Sequence, residues 1–199
     1  MPLPVSFGSQ LVRTFEQFGH LCVGIDPHPH LLEAWGLGDT SDSLLTFGKT
    51  VIDACQGEIG IIKPQVAFFE RHGSKGFAVL EELSEYAASA KLLVIMDAKR
   101  GDIGTTMDGY FDAWLGKAAP YFADALTVSP FLGFDSLLPT LSEAHERGKG
   151  VFMLAATSNE EAKELQSSTF DGNTVAGTIW NKLNAANRAI DGELSLIHI

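Results

Sequence analysis

Short apolar runs alternate with longer segments whose apolar residues recur at helical spacing, and this alternation restricts the possible folds most strongly. Short aliphatic runs predict buried strands, whereas recurrence every three or four residues predicts one face of a helix. Strands separated by helices indicate a parallel sheet with both faces covered. The five predicted strands are residues 21–25, 59–62, 92–96, 125–128 and 151–155.

Helices are predicted between these strands and at both ends of the chain. Asp42 or Ser43 is the expected N-cap of the helix that ends near Cys55, and Gly57 lies where that helix should stop. The predicted helical segments are residues 9–18, 44–55, 77–90, 106–117, 134–147 and 175–189.

The chain length favours one domain that includes residues 1–199, since 199 residues with 45% hydrophobic composition can bury one substantial core. The βα pattern fits either a doubly wound sheet or part of a (β/α)8 barrel, and the pattern alone does not choose between them. A complete barrel typically needs about 250 residues. If the chain forms a barrel, we therefore expect it to be truncated, with about three strands missing.

Composition limits the partners and the compartment. A formal net charge of -11 disfavours nucleic acid and anionic membrane surfaces as partners, because both attract basic proteins. The longest strongly apolar block is far too short to span a bilayer. Cys22 and Cys55 have no second cysteine pair and are expected to be inert core residues. A cytoplasmic location follows as an expectation, because the reducing cytoplasm suits unpaired cysteines.

Polar side chains cluster where the predicted strands end. They are Asp26 after the first strand, Lys63 after the second, Asp97 and Lys99 after the third, and Ser158 after the fifth. Ligands bind at the carboxyl ends of parallel strands in both candidate folds. These residues therefore mark the expected site.

Asp97 and Lys99 are two positions apart, so on an extended strand they should share one face. A buried ammonium loses its proton unless carboxylates surround it, and Asp97 and Asp102 are the expected neighbours of Lys99. The alternative is an ordinary solvated turn with surface ion pairs. Gly101 and Gly104 supply a loop whose backbone could approach a ligand closely, which favours an active site.

Residues 97–106, Asp-Ala-Lys-Arg-Gly-Asp-Ile-Gly-Thr-Thr, resemble the signature D-x-K-x-x-D-I-x-x-T of orotidine 5'-phosphate decarboxylases. Residues 23–29, 62–65 and 157–159 resemble the corresponding strand ends of the bacterial second type of this family. The resemblance implies a (β/α)8 TIM barrel of the ribulose-phosphate-binding type, of which this chain would contain about five of eight βα units. It also implies a homodimer with shared active sites. The implied reaction converts orotidine 5'-monophosphate to UMP and carbon dioxide in pyrimidine biosynthesis, without a cofactor or metal.

The resemblance also implies catalytic roles. Lys63, Asp97 and Lys99 would form an alternating charge network, completed by the partner subunit's Asp102. Lys99 would protonate the carbanion that forms at C6 of the pyrimidine. Carboxylates beside Lys99 would raise the pKa of its ammonium and oppose the effect of burial.

Substrate-binding roles are implied for four further residues. Asp26 would contact the ribose hydroxyls, and Ser158 would hydrogen-bond the pyrimidine. Ile103 and Thr106 would reach into the neighbouring subunit's site.

Two alternatives involve a metal. The related magnesium-dependent sugar-phosphate decarboxylases and aldolases share the D-x-K-x-x-D core, but an ammonium at Lys63 would repel a divalent cation where those relatives place a carboxylate ligand. A site at His28 and His30 has no obvious third ligand. A dinucleotide site is also disfavoured, because residues 36–38 lack the glycine spacing and the flanking strand.

Residues 192–199 do not resemble the family and are interpreted as a non-native tail. The family's three further strands, its glycine-rich phosphate-binding loop and its late arginine are expected to be missing. A further alternative is therefore that the chain is an inactive partial barrel, because binding energy from the substrate phosphate supports catalysis in such enzymes. An open barrel edge would also expose unpaired strand groups, so such a fragment would be prone to aggregate.

Overall fold

The computed structural model describes residues 4–189 and 196–198, and its principal feature is a six-stranded sheet. All neighbouring strands of this sheet are parallel; the first five lie side by side in the order in which they occur in the sequence, and the sixth pairs with the fifth. A doubly wound sheet would reverse its strand order at a switch point, whereas sequential order is that of a (β/α) barrel. The strands are β1 Cys22–Ile25, β2 Ile61–Pro64, β3 Leu93–Arg100, β4 Ala125–Val128, β5 Gly150–Met153 and β8 Leu196–His198.

Helices connect the strands of this sheet. None of those within residues 4–189 is long and apolar enough to cross a membrane. The α-helices are α1 Phe7–Phe18, α2 Pro29–Ala34, α3 Ser41–Cys55, α4 Ala67–Glu70, α5 Gly73–Ser89, α6 Gly104–Trp114, α7 Leu138–Glu146, α8 Ala162–Gln166 and α9 Val175–Ala189, and a 3-10 helix, Phe134–Leu137, precedes α7.

Most predicted elements are present, but the short helices α2, α4 and α8 were not predicted, and the strands differ in several places. The third strand continues to Arg100, beyond the predicted end. A small antiparallel hairpin, β6 Thr169–Phe170 and β7 Asn173–Thr174, was not predicted. The strand β8 was not predicted either and pairs with β5. Residues 190–195 and 199 lie outside the described residues, so the interpretation of 192–199 as a non-native tail stays a prediction.

The N-cap prediction for α3 was wrong by two or three residues. Thr40 has extended backbone angles, φ -132° and ψ 162°, and its side-chain oxygen accepts a hydrogen bond from the Ser43 backbone N–H at 3.2 Å. Asp42 and Ser43 already lie inside the helix. A cap must precede the first helical residue, so Thr40 takes that role.

Apolar side chains form a cluster on each face of the sheet. Alternation along β2 directs Ile62 into the larger cluster, which includes Leu80 and Leu83 of α5. The adjacent Ile61 belongs to the second cluster, where α1 contributes the completely buried Phe7. The two clusters bury both faces of the strands, as a parallel sheet requires.

The two cysteines differ in exposure. Cys55 is buried as predicted, but Cys22 is exposed, so its predicted core position was wrong. The reason is that β1 lies at an edge of the described sheet, where the neighbouring Leu21 is also 58% exposed.

Candidate active site

The carboxyl ends of β2 and β3 bring Lys63, Asp97 and Lys99 into direct contact. Parallel pairing places Gln65 beside Asp97 in an isolated bridge that continues the β2–β3 ladder. Lys63 therefore reaches across the strand boundary, and its Nζ donates to Asp97 Oδ2 at 3.0 Å. Lys99 Nζ donates to Asp97 Oδ1 at 2.6 Å. We call these three residues the Lys63–Asp97–Lys99 network.

Asp97 is at the centre of this network and is only 6% exposed. Its carboxylate accepts two further hydrogen bonds from neutral groups. Thr127 Oγ1 donates to Oδ1 at 2.9 Å, and Gln65 Nε2 donates to Oδ2 at 2.9 Å. Each carboxylate oxygen thus has one charged and one neutral donor, and this fixes the plane of the group.

The pKa of Asp97 lies below its ordinary value of 3.8. Burial raises this pKa, but the hydrogen bonds and charges of Lys99 and Lys63 lower it by more. The carboxylate is therefore ionised at neutral pH. The two ammonium groups remain accessible, since the Lys63 and Lys99 side chains are 33% and 45% exposed.

The backbone that carries Lys99 does not continue the regular extended strand that the sequence predicted. Met96 pairs with Leu126 and Arg100 pairs with Val128, so residues 97–99 lie opposite the single residue Thr127. Lys99 has a φ of 50°, a left-handed conformation that is uncommon for residues other than glycine. Such bulges occur next to active sites, where they redirect side chains.

The loop after β3 is held by close backbone packing. A Cβ atom at Gly101 would lie 2.2 Å from the carbonyl oxygen of Ser129. The absence of a side chain at Gly101 therefore lets its backbone pack closely against the residue that follows β4. Arg100 joins the same region to α4, where its Nη2 donates to Glu70 Oε1 at 3.1 Å. Gly104 begins α6 with a φ of 53°.

Asp102, Ile103 and Thr106 lie on this loop and the first turn of α6, outside the network. Asp102 Oδ1 accepts a hydrogen bond from the Ile103 backbone N–H at 2.8 Å. Ile103 is 58% exposed, and Thr106 is exposed as well. Among the described residues, Asp102 has no hydrogen bond or ion pair with Lys99, so a single chain does not supply the second carboxylate expected beside that lysine.

Asp26 and Ser158 follow β1 and β5 at the same edge of the sheet. Asp26 Oδ1 is buried and has no hydrogen-bond partner in the described structure. The other carboxylate oxygen lies against Gly24, where a Cβ atom would be 2.9 Å away. Ser158 is exposed in the loop before α8. Both residues therefore lie at the edge of the sheet where ligands bind in such barrels.

The histidines considered as metal ligands pack as aromatic rings. The His28 ring centroid lies 5.1 Å from that of His30 and 4.3 Å from that of Phe68. Within residues 4–189 and 196–198, no group of three or more His, Cys, Asp or Glu side chains is placed to hold a metal ion.

Gln65 and Thr127 were not identified from the sequence as site residues. A signal existed for each. Gln65 is two positions after Lys63, which places both on one face of the extended segment. Thr127 is a hydroxyl-bearing residue inside the otherwise apolar strand β4.

Together, the sequential parallel strands and the charged side chains at their carboxyl ends define a (β/α)-barrel protein with a candidate ligand site at the usual face of the barrel. A family model described as "Orotidine 5'-phosphate decarboxylase / HUMPS family" matches residues 19–195. The chain therefore belongs to this family.

Curated relatives match most of the chain. The orotidine 5'-phosphate decarboxylase of Streptomyces coelicolor is 50% identical over 182 residues, which are 91% of this chain and 66% of that relative. The enzyme of the same name from Corynebacterium glutamicum is 48% identical over 184 residues, 92% of this chain and 66% of the relative. The chain thus spans just under two thirds of the length of these relatives.

Solved structures confirm the fold. A Streptomyces avermitilis protein, proposed in its crystal structure description to be an orotidine 5'-phosphate decarboxylase, superposes with a TM-score of 0.95 at 47% identity. That match covers 100% of this chain and 70% of the other. The Leishmania donovani OMP decarboxylase superposes with a TM-score of 0.78 at 30% identity, over 96% of this chain and 70% of the other. The predicted TIM-barrel fold is confirmed.

Proposed function

We propose that the protein decarboxylates orotidine 5'-monophosphate to UMP and carbon dioxide without a cofactor or metal, as an enzyme of pyrimidine biosynthesis. One observation carries this proposal. The Lys99 ammonium is held 2.6 Å from the ionised, buried carboxylate of Asp97, at the barrel face where ligands bind. The names of the curated relatives support the same reaction.

The chemistry requires a fixed positive charge and a proton at one place. Loss of carbon dioxide leaves an electron pair at C6 of the pyrimidine, and an ammonium beside this carbon stabilises the developing negative charge. The same ammonium then transfers a proton to C6. Lys99 fits this role because its Nζ is held 2.6 Å from Asp97 Oδ1 while its side chain remains 45% exposed and accessible to substrate.

Asp97 and Lys63 then have supporting roles. Asp97 holds the Lys99 ammonium in place through this contact. Lys63 neutralises part of the carboxylate charge from the opposite side, at 3.0 Å from Oδ2. An ammonium at this strand end would also repel a divalent cation, which argues against the magnesium-dependent reactions of related barrels.

Substrate contacts are proposed for residues that border the network. Asp26 is half-buried at the end of β1, and its carboxylate, whose Oδ1 has no hydrogen-bond partner among the described residues, would accept a hydrogen bond from a ribose hydroxyl. Ser158 is exposed after β5 and would hydrogen-bond the pyrimidine.

We further propose a cytoplasmic homodimer with shared sites. The exposed side chains of Ile103 and Phe131, 58% and 76% accessible, would become buried at the subunit interface. In this arrangement the partner subunit's Asp102 would complete the charge network, and Ile103 and Thr106 would line the neighbouring site. The unpaired cysteines are compatible with a reducing compartment.

The test is UMP formation from orotidine 5'-monophosphate in the presence of EDTA. The chain is assayed alone and fused to the C-terminal remainder of the Streptomyces coelicolor relative, because it spans 66% of that relative. Lys99→Ala should abolish activity in whichever form is active, whereas Lys75→Ala on the exposed surface of α5 should retain it. A folded fusion protein without activity would refute the substrate assignment, and activity lost with EDTA would favour the metal-dependent relatives.

A further inference from the structure

The side chain of Thr127 is almost completely buried, at 1% exposure, and its hydroxyl contacts three residues of β3. It accepts a hydrogen bond from the Lys99 backbone N–H at 2.9 Å. It also lies 2.9 Å from Asp97 Oδ1 and 3.5 Å from the Met96 carbonyl oxygen. Since a hydroxyl has one proton, it donates to the closer and charged acceptor, Asp97.

The bulge in β3 explains why a hydroxyl is needed at this position. Three residues of β3, 97–99, lie opposite the single residue Thr127, so the backbone ladder between the two strands is interrupted. The ladder resumes where the Ser129 N–H donates to the Arg100 carbonyl at 2.7 Å. Within the gap, the Thr127 hydroxyl takes the place of a backbone carbonyl as acceptor for Lys99.

We propose that Thr127 is a positioning residue, whose hydroxyl holds both the Asp97 carboxylate and the left-handed Lys99 backbone so that the Lys99 ammonium is correctly aimed. This inference rests on the proposed function for its catalytic consequence. Thr127 need not touch the substrate, because it acts through Asp97 and Lys99, and Lys99 is the residue placed beside C6 of the pyrimidine. The uncommon φ of 50° at Lys99 is maintained only if surrounding contacts hold it, and the hydroxyl supplies one of them.

The catalytic test compares Thr127→Val, which keeps the shape and removes the hydroxyl, with Thr127→Ser, which keeps the hydroxyl. In the active form of the protein, Thr127→Val should lower kcat by up to about 100-fold, the effect of a misplaced reacting group, with KM nearly unchanged. Thr127→Ser should restore kcat to within a few-fold of wild type. Equal kcat values in the valine and wild-type proteins would overturn the catalytic role.

A second measurement does not depend on activity. The Asp97 carboxyl carbon is titrated by NMR, and hydrogen exchange is measured at the Lys99 amide. Thr127→Val should raise the midpoint of Asp97, because a hydrogen bond to the charged form is removed, and should accelerate exchange at Lys99. Unchanged midpoint and exchange would overturn the positioning role even if the enzyme is active.

The two measurements separate this inference from the proposed function. Altered NMR behaviour in Thr127→Val, combined with no UMP formation by any form of the wild-type protein, would refute the decarboxylase proposal while supporting the positioning contacts. If Thr127→Val does not fold, Thr127→Ala and Thr127→Ser provide the comparison. Both of these variants lack the methyl group, and only the serine variant retains the hydroxyl.

Discussion

Replacement of Asp97 by asparagine tests whether the network stabilises the fold as well as the site. The carboxylate accepts four hydrogen bonds, from Lys63, Gln65, Lys99 and Thr127. Asparagine keeps one acceptor oxygen, so its NH2 group would face two of these four donors.

The expected cost depends on which hydrogen bonds asparagine is unable to accept. A hydrogen bond to a charged group contributes about 1.5–3 kcal/mol. The two lysine side chains are 33% and 45% exposed, so water would partly replace the missing acceptor. Asparagine is neutral, so the substitution also removes the desolvation penalty of burying a charge, which partly offsets the loss of stability. We therefore expect the free energy of unfolding to fall by about 2 kcal/mol at pH 7.

The pH dependence has a definite sign. The pKa of Asp97 is lowered in the folded protein, so its ionised form stabilises the fold at every pH above the ordinary value of 3.8. This contribution is lost as the pH falls through the lowered, folded-state pKa. The difference between wild type and Asp97→Asn should therefore be constant from about pH 7 to pH 5 and should shrink below about pH 4.

Urea unfolding followed by circular dichroism over this pH range is the measurement. The slope of the unfolding free energy with urea should be unchanged, since the area exposed on unfolding is similar. Asp102→Asn, measured on the separated chain, is the matched control. Its side chain accepts only the Ile103 N–H among the described contacts, and asparagine can do the same, so we expect a change within about 0.5 kcal/mol. A difference for Asp97→Asn that stayed constant down to pH 3, or that equalled the control, would refute the reasoning.

Three further substitutions test other parts of the fold by urea unfolding. In Gly101→Ala, the added Cβ atom would lie 2.2 Å from the Ser129 carbonyl oxygen and must displace backbone. We therefore expect the free energy of unfolding to fall by about 1–3 kcal/mol and the rate of decarboxylation to fall by a larger factor. Wild-type stability would contradict this packing. Phe7→Ala removes a fully buried ring and should cost about 3–5 kcal/mol, whereas a cost under about 1 kcal/mol would mean that α1 does not cover the sheet. Thr40→Ala removes the oxygen that accepts a hydrogen bond from the Ser43 N–H and should lower the free energy of unfolding by about 1 kcal/mol. An unchanged free energy of unfolding would mean that another residue caps α3.

Periodic patterns predicted the regular elements well. The apolar strand 125–128 and the helix 175–189 have the same bounds in the structure. Both have a clear local signal, since hydrophobic periodicity directly reflects the side chains that each element buries. The strand β8 contains two aliphatic residues, but three residues are too short for a periodic pattern, and its position is set by pairing with β5, which lies far from it in sequence.

The sequence predicted the contact between the charged side chains of the candidate site but not the backbone conformation that produces it. The spacing of Asp97 and Lys99 predicted that the two side chains would meet, and they do at 2.6 Å. The route differs from the prediction, because Lys99 leaves the extended conformation with a φ of 50°. A bulge depends on what lies across the strand boundary, and the side chain across that boundary is Thr127. Propensities along one strand do not contain this information.

The charges of the network bear on the proposed site shared between two subunits. Lys63 and Lys99 contribute two positive charges, and Asp97 contributes the single negative charge between them. Two ammonium groups that share one carboxylate retain a net positive charge, which favours an added anion on their exposed sides. Under the proposed function, the carboxylate of orotidine 5'-monophosphate would supply this anion on binding, and Asp102 of the proposed partner subunit would supply it permanently. If the partner does so, Asp102→Asn should lower decarboxylation sharply in the assembled protein while leaving the unfolding free energy of the separated chain within about 0.5 kcal/mol of wild type. That division between activity and stability is the signature of a charge that acts across a subunit interface, and equal effects on both would place Asp102 in its own chain's fold instead.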